Sequence, residues 1–255
     1  MFRASNRVNS LGGSNWMAVV ASVLATLSLA GCKETISSEN IRTGGIAMVT
    51  EVTARSETHA RVRAELLAGG DESNTGVILR GGDQLVAMAG DEEQVMDEVD
   101  DGVYETVFEN GEGGTVFMVM LERDGDDDAL DSEGTLPEPF EITSDFGDTP
   151  ISRSEDEMEI TWEPSGEEDD MDVDFDDANG DDGCIFSHDD DIPGDTGSFL
   201  VEADSLESTD SDDPESCDVQ ATITRTREGS VDTALDEEST FELKQLRRFT
   251  FVSAP

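Results

Sequence analysis

The chain has 255 residues, and its 62 Asp and Glu outnumber its 15 Lys and Arg for a formal net charge of −47. A field of that sign repels nucleic acid and anionic headgroups, so nucleic acid is not expected as a partner. High net charge with 5% aromatic residues suits a disordered acidic chain or a folded protein of a saline habitat, and the strict alternation in several segments favours the folded one. Residues 1–16 carry Arg3 and Arg7 and no acid, and the stretch from Met17 to Leu29 is uncharged and rich in Ala, Val and Leu. This is the order of a secretory signal, and the apolar run is shorter than the roughly 18 to 20 residues of a membrane-spanning helix.

The run ends in Leu29-Ala30-Gly31-Cys32, which resembles the lipobox of bacterial lipoproteins. The resemblance implies that residues 1–31 are a cleaved signal peptide and that Cys32 becomes the first residue of the mature protein, with diacylglycerol on its sulfur. Acyl chains then hold the protein on a membrane without a transmembrane helix. Lys33 follows, and a residue other than Asp there resembles the outer-membrane address of Gram-negative lipoproteins. Removal of the signal leaves 13 Lys and Arg against 62 Asp and Glu. Lys occurs only at Lys33 and Lys244.

Residues 32–44 are polar and read as a tether from lipid to fold. Extended candidates follow at Ile46 to Arg55, His59 to Leu67, Gly76 to Arg80, Gln84 to Ala89, Val103 to Phe108 and Thr115 to Arg123. Between His59 and Leu66, Ala60, Val62, Ala64 and Leu66 share one face and the polar residues the other, the pattern of a half-buried strand. Val116 to Leu121 is apolar on both faces, and Gly111 to Gly114 is expected to close a hairpin between it and Val103 to Phe108. Glu92 to Glu98 offers a helical turn. The acidic run Asp124 to Thr135, followed by Pro137 and Pro139, places a domain boundary near residue 136.

Beyond it, Met158, Ile160 and Trp162 alternate with polar residues, as do Met171, Val173 and Phe175. The segment Ile160 to Gly166 (ITWEPSG) is similar to the Trp-bearing early strand of fibronectin type III modules, and this favours a sandwich over a barrel. A strand from Phe199 to Val201 is expected. Cys217 shares a strand face with Val219, Ala221 and Ile223. Once Cys32 is lipidated, Cys184 is its one remaining partner in an oxidising envelope, and a disulfide is expected. Phe241, Leu243, Phe249 and Phe251, around Arg247 and Arg248, close the chain as one or two strands.

Three groups invite a chemical reading. Asp195-Thr196-Gly197-Ser198 resembles the aspartic-protease motif, but Ile192-Pro193-Gly194 breaks the strand before it and no second copy exists. Asp174, Asp176, Asp177, Asn179, Asp181 and Asp182 around Gly180 are calcium candidates, and Asp124, Asp126, Asp127 and Asp128 form a second acidic loop. Neither has the spacing of an EF-hand loop. His59 and His188 are the only histidines and lie far apart in sequence.

The expected fold class is therefore all-β, with two antiparallel immunoglobulin-like β-sandwich domains at 45–136 and 137–255 behind the signal peptide and tether. The expected function is a non-enzymatic, lipid-anchored envelope protein without cofactor, binding an envelope protein or surface ligand. The alternatives are a calcium-dependent adhesion or binding module, and a hydrolase using Asp195.

Overall fold

A computed structural model describes residues 34–147, 149–165, 169–178, 183–210, 212 and 214–255. The proposed signal peptide and Cys32 lie outside the described residues. In the first half the strands are β1 (Glu34–Ser37), β2 (Ile46–Ser56), β3 (His59–Ala68), β4 (Thr75–Ile78), β5 (Gln84–Ala89) and β6 (Glu92–Val95). They continue with β7 (Asp97–Asp100), β8 (Val103–Phe108), β9 (Val116–Glu122) and β10 (Ala129–Thr135). The second half adds β11 (Glu141–Ile142), β12 (Ile151–Ser152), β13 (Met158–Glu163), β14 (Asp170–Asp177), β15 (His188–Ile192), β16 (Ser198–Val201), β17 (Cys217–Glu228) and β18 (Thr240–Ala254). No α-helix occurs among the described residues; the protein is all-β.

One long sheet runs β1-β4-β3-β2-β18-β17-β14-β15, with β8 also on β3, β7 on β8 and β12 on β18. Two smaller sheets, β10-β9-β5-β6 and β11-β13-β16, complete the set. The first core joins Met48, Val52, Val62 and Ala64 of the long sheet to Leu85, Ala87, Phe117 and Val119 of the four-stranded one. The second joins Val173, Phe175, Val219 and Ile223 to Met158, Ile160 and Trp162 of the three-stranded one. In each case period-two alternation turns the apolar side chains inward, where each fully buried large one contributes about 1.5 to 3 kcal/mol.

The cores do not divide cleanly in chain order. Leu235, Phe241 and Leu243 pack in the first core although they follow residue 136, because β18 is a single 15-residue strand that passes from one core to the other. Its first six residues pair in parallel with β2, Thr240 beside Val49 through Gln245 beside Ala54. The pairs β1–β4 and β12–β18 are also parallel, so the otherwise antiparallel sheet is mixed. Parallel neighbours need a long crossover, and most of the chain serves as the one between β2 and β18.

Four local expectations change. Residues 34–44 are no free tether: β1 pairs with β4, and Ser38 and Thr43 are buried. The Arg123 guanidinium holds this segment by donating to the carbonyls of Ser38 (2.7 Å) and Ile41 (3.1 Å). The predicted hairpin does not form, since β8 pairs with β3 and β7 while β9 pairs with β5 and β10. Phe108 and Phe117 instead meet edge-on across the core at 6.0 Å, and the Gly-rich segment between them turns the corner from one sheet to the other. Glu92 to Glu98 forms β6 and the start of β7, because pairing of Val95 with Val86 satisfies backbone that one helical turn would leave open. β9 is covered on one face, with Val116 exposed.

Candidate functional site

The outer face of β14 carries a row of carboxylates. With Met171, Val173 and Phe175 turned into the core, alternation leaves Asp172, Asp174 and Asp176 on the opposite face. The antiparallel register sets Asp191 beside Asp172 and Asp189 beside Asp174. Burial pushes the Asp172 carboxyl up to about 6, helped by the Asp174 and Asp191 charges and opposed by a hydrogen bond from Thr224 and by Lys244. Asp174 is raised by burial and by Asp176 and Asp189. Asp176 accepts a hydrogen bond from the Ser187 hydroxyl at 2.6 Å.

This is a flat ladder rather than a cage. Alternate residues of one strand lie roughly 7 Å apart, whereas oxygens sharing a calcium ion sit about 2.3 to 2.6 Å from it. Asp177, the next candidate, turns away and accepts the Cys184 N–H at 3.1 Å. Asn179, Asp181 and Asp182 lie outside the described residues. Asp177 also lies near both sulfurs of Cys184 and Cys217, but these form a disulfide with Cα atoms 5.9 Å apart, which removes their thiolates as ligands.

The second acidic loop is occupied with backbone donors. Asp128 accepts the Arg123 N–H at 2.6 Å, Asp126 accepts those of Asp127 (2.9 Å) and Thr43 (3.2 Å), and Asp83 accepts that of Asp124 (2.8 Å). The Asp127 N–H is the main reason the Asp126 carboxyl is held below the usual range. Arg123 and Asp83 form a buried ion pair at 2.7 Å. The loop thereby fastens the N-terminal segment to the ends of β5 and β9.

Asp195 has no free oxygen to offer a substrate. Its side chain is 0% exposed, as is that of Arg225, with which it is paired, and Trp162 Nε1 donates to its other oxygen at 2.7 Å. Arg225 donates further to the carbonyls of Glu138 (2.7 Å) and Pro164 (2.8 Å) and lies over the Phe140 ring. The histidines are kept apart: the Thr58 hydroxyl meets His59 Nδ1 at 2.8 Å, while His188 meets Asp190 at 2.9 Å and stacks on Phe175.

A set of buried and half-buried polar residues at the seam between the cores was not singled out from sequence. On β17 the inward face reads Val219, Ala221, Ile223, Arg225, and on β18 it reads Phe241, Leu243, Gln245, Arg247, Phe249, Phe251. Gln245 donates to the carbonyls of Gly111 (3.3 Å) and Pro137 (3.2 Å), and Arg247 to that of Phe140 (2.7 Å). Arg225 and Arg247 both approach the Phe140 ring, at 4.9 and 5.4 Å from its centroid. Period-two phase was the available signal, because it puts Arg225, Gln245 and Arg247 in line with apolar neighbours. A cleft of about 1120 Å³ opens beside the seam, with Arg55 and Arg247 facing Glu57, Glu138, Glu141 and Glu163.

No protein-family profile and no curated protein matches this chain. Among solved structures, the chain is similar to the FN1–FN3 domains of chicken CNTN1 (12% identity, TM-score 0.24, covering 83% of this chain and 66% of that one). It is also similar to a tetra-tandem repeat in the extending region of a large adhesion protein (11%, 0.26, 81% and 49%). A run of domains from titin gives 9%, 0.23, 81% and 61%. The chain spans between about half and two thirds of these neighbours, and at such TM-scores nothing further rests on the overlay.

Proposed function

We propose that this chain is a non-enzymatic, lipid-anchored protein of the bacterial cell envelope, on the outer membrane, with a structural or partner-binding role and an acidic surface suited to high salt. The observation that carries the non-enzymatic part is Asp195: both its oxygens are taken by Arg225 and Trp162 away from solvent. The anchor rests on Leu29-Ala30-Gly31-Cys32, and the Cys184–Cys217 disulfide suits an oxidising compartment. The decisive experiment is mass spectrometry of the mature protein from membranes. The expected N-terminus is Cys32 carrying acyl chains, and Cys32→Ser releases the protein; an unmodified Cys32 thiol refutes the anchor.

A second reading, a calcium-dependent binding module, is favoured by the Asp172–Asp191 ladder, whose raised carboxyls would be relieved by a divalent cation. Calcium must then raise the melting temperature at an ionic strength where magnesium and sodium do not. Equal effects of all three leave only charge screening.

A further inference from the structure

Glu34 is already in the sheet: it opens β1 opposite Thr75 and donates its N–H to the Asn74 carbonyl at 3.1 Å. An extended residue spans at most about 3.6 Å, so the Glu34 Cα lies within roughly 7 Å of the Cys32 Cα.

Register puts Glu34 at one end of the long sheet. Thr75 is the first residue of β4, and Ala68, the last of β3, pairs with Ile46, the first of β2. Three connections meet at this end. The loop 69–74 leaves β3, the turn 100–102 is fixed by the Leu66 N–H on the Gly102 carbonyl (2.8 Å), and the loop 236–239 is fixed by the Asp236 N–H on the Ile46 carbonyl (3.0 Å). A Cβ at Gly70 would meet the Glu238 carboxylate, so the first and third connections touch. The three connections carry Asp71, Glu72, Asp100, Asp101, Asp236, Glu237 and Glu238, and no Lys or Arg. From here β18 runs 15 residues, roughly 45 to 50 Å at about 3.3 Å per residue, to an end where Cys217 pairs with Ser253 and Ile151 lies beside Ser253.

We infer that the mature protein stands on its lipid without a spacer, with the acidic end formed by Glu34, loop 69–74, turn 100–102 and loop 236–239 facing the phospholipid headgroups. The disulfide-bearing end of the second core then points away from the membrane. The inference rests on lipidation of Cys32. Carboxylates at the membrane-facing end repel anionic headgroups, so the acyl chains alone hold the protein in place.

The test uses the lipidated full-length mature protein in phosphatidylcholine vesicles containing a headgroup-linked quencher lipid. One exposed position at each end, Glu72→Cys or Ser154→Cys, carries a fluorophore. Quenching several-fold stronger at residue 72 than at residue 154 is expected. A spacer of about twelve Gly and Ser residues, inserted between Lys33 and Glu34, should reduce that difference, since it adds roughly 20 Å of reach. Equal or inverted quenching with lipid present on Cys32, or a difference that ignores the spacer, overturns the orientation alone. A Cys32 found unmodified by mass spectrometry overturns the anchor and the orientation with it.

Discussion

Arg225 carries a guanidinium into a place where its side chain has no solvent exposure, in a chain with only 15 basic residues to set against 62 acids. Desolvating a charge costs several kcal/mol unless partners replace water, and here Asp195, two backbone carbonyls and the Phe140 ring do so. Arg123 and Arg153 repeat the pattern, both buried and donating to carbonyls of distant segments. Arg suits this use because its planar fork serves several acceptors at once and keeps its charge when buried. Removal of one member of the Asp195–Arg225 pair leaves an uncompensated charge, which typically costs about 3 to 5 kcal/mol. Asp195→Asn should therefore lower the unfolding free energy by that order in urea titrations at constant high salt, and Asp195→Leu with Arg225→Met should lose less than Asp195→Asn alone. A loss below about 1 kcal/mol for Asp195→Asn would end the structural assignment of this carboxylate.

At the scale of the element, β14 carries opposite demands on its two faces. Its core face needs alternation of Met171, Val173 and Phe175, and the same alternation aligns Asp172 with Asp174 and Asp176 while register adds Asp189 and Asp191. Like charges directly opposite one another destabilise a strand pair. Asp172, with a folded pKa raised to about 6 from 3.8, binds its proton more tightly in the folded state. Its ionisation therefore opposes folding: the penalty is full above about pH 6 and is relieved as the pH falls toward 4. Asp172→Asn should raise the melting temperature at pH 7 and have little effect at pH 4; an equal effect at both pH values would show that its charge is not the cause. Strand positions of this kind were legible in the sequence, since the burial period survives in β3, β13, β14 and β17. Pairing was less so. The Val103–Phe108 and Val116–Leu121 segments looked like a hairpin because both are apolar and a Gly-rich turn joins them, yet their apolar faces oppose each other across the first core. Nothing local to β2 or β18 distinguishes parallel neighbours with most of the chain between them. Residues 34–44 looked like a tether because their polar side chains hide backbone contacts, those of the Ser38 and Ile41 carbonyls with Arg123 and of the Thr43 N–H with Asp126 in the loop that follows it.

For the whole molecule, the first consequence is electrostatic. Few of the 62 acids can find a cation, so self-repulsion opposes compaction until salt screens it. The screening length falls from about 10 Å at 0.1 M to about 3 Å at 1 M. Melting temperature should therefore climb steeply across that range for sodium and potassium chloride alike. A flat response would remove the saline-habitat reading of the composition.

The second consequence concerns how the two cores unfold. β17 and β18 share twelve paired positions, Cys217 beside Ser253 through Glu228 beside Glu242, and this ladder crosses the seam without a break. β18 gives Phe241 and Leu243 to the first core and Phe251 to the second, so loss of either core strips part of this strand, and the cores are coupled through backbone as well as through the clasp of Arg225, Gln245 and Arg247 on residues 137–140. A single cooperative transition is expected for the mature protein in high salt, with tryptophan fluorescence and circular dichroism coincident. Trp162 lies in the second core and is the only tryptophan after residue 31, so its signal reports that core while circular dichroism reports both. Gln245→Ala with Arg247→Ala removes two of the three clasp side chains, spares Arg225, whose loss would strand Asp195, and leaves the ladder. If the clasp carries the coupling, the two signals separate, with fluorescence reporting the midpoint of the second core alone. If they stay coincident, the continuous strands suffice and the side-chain clasp contributes stability without cooperativity.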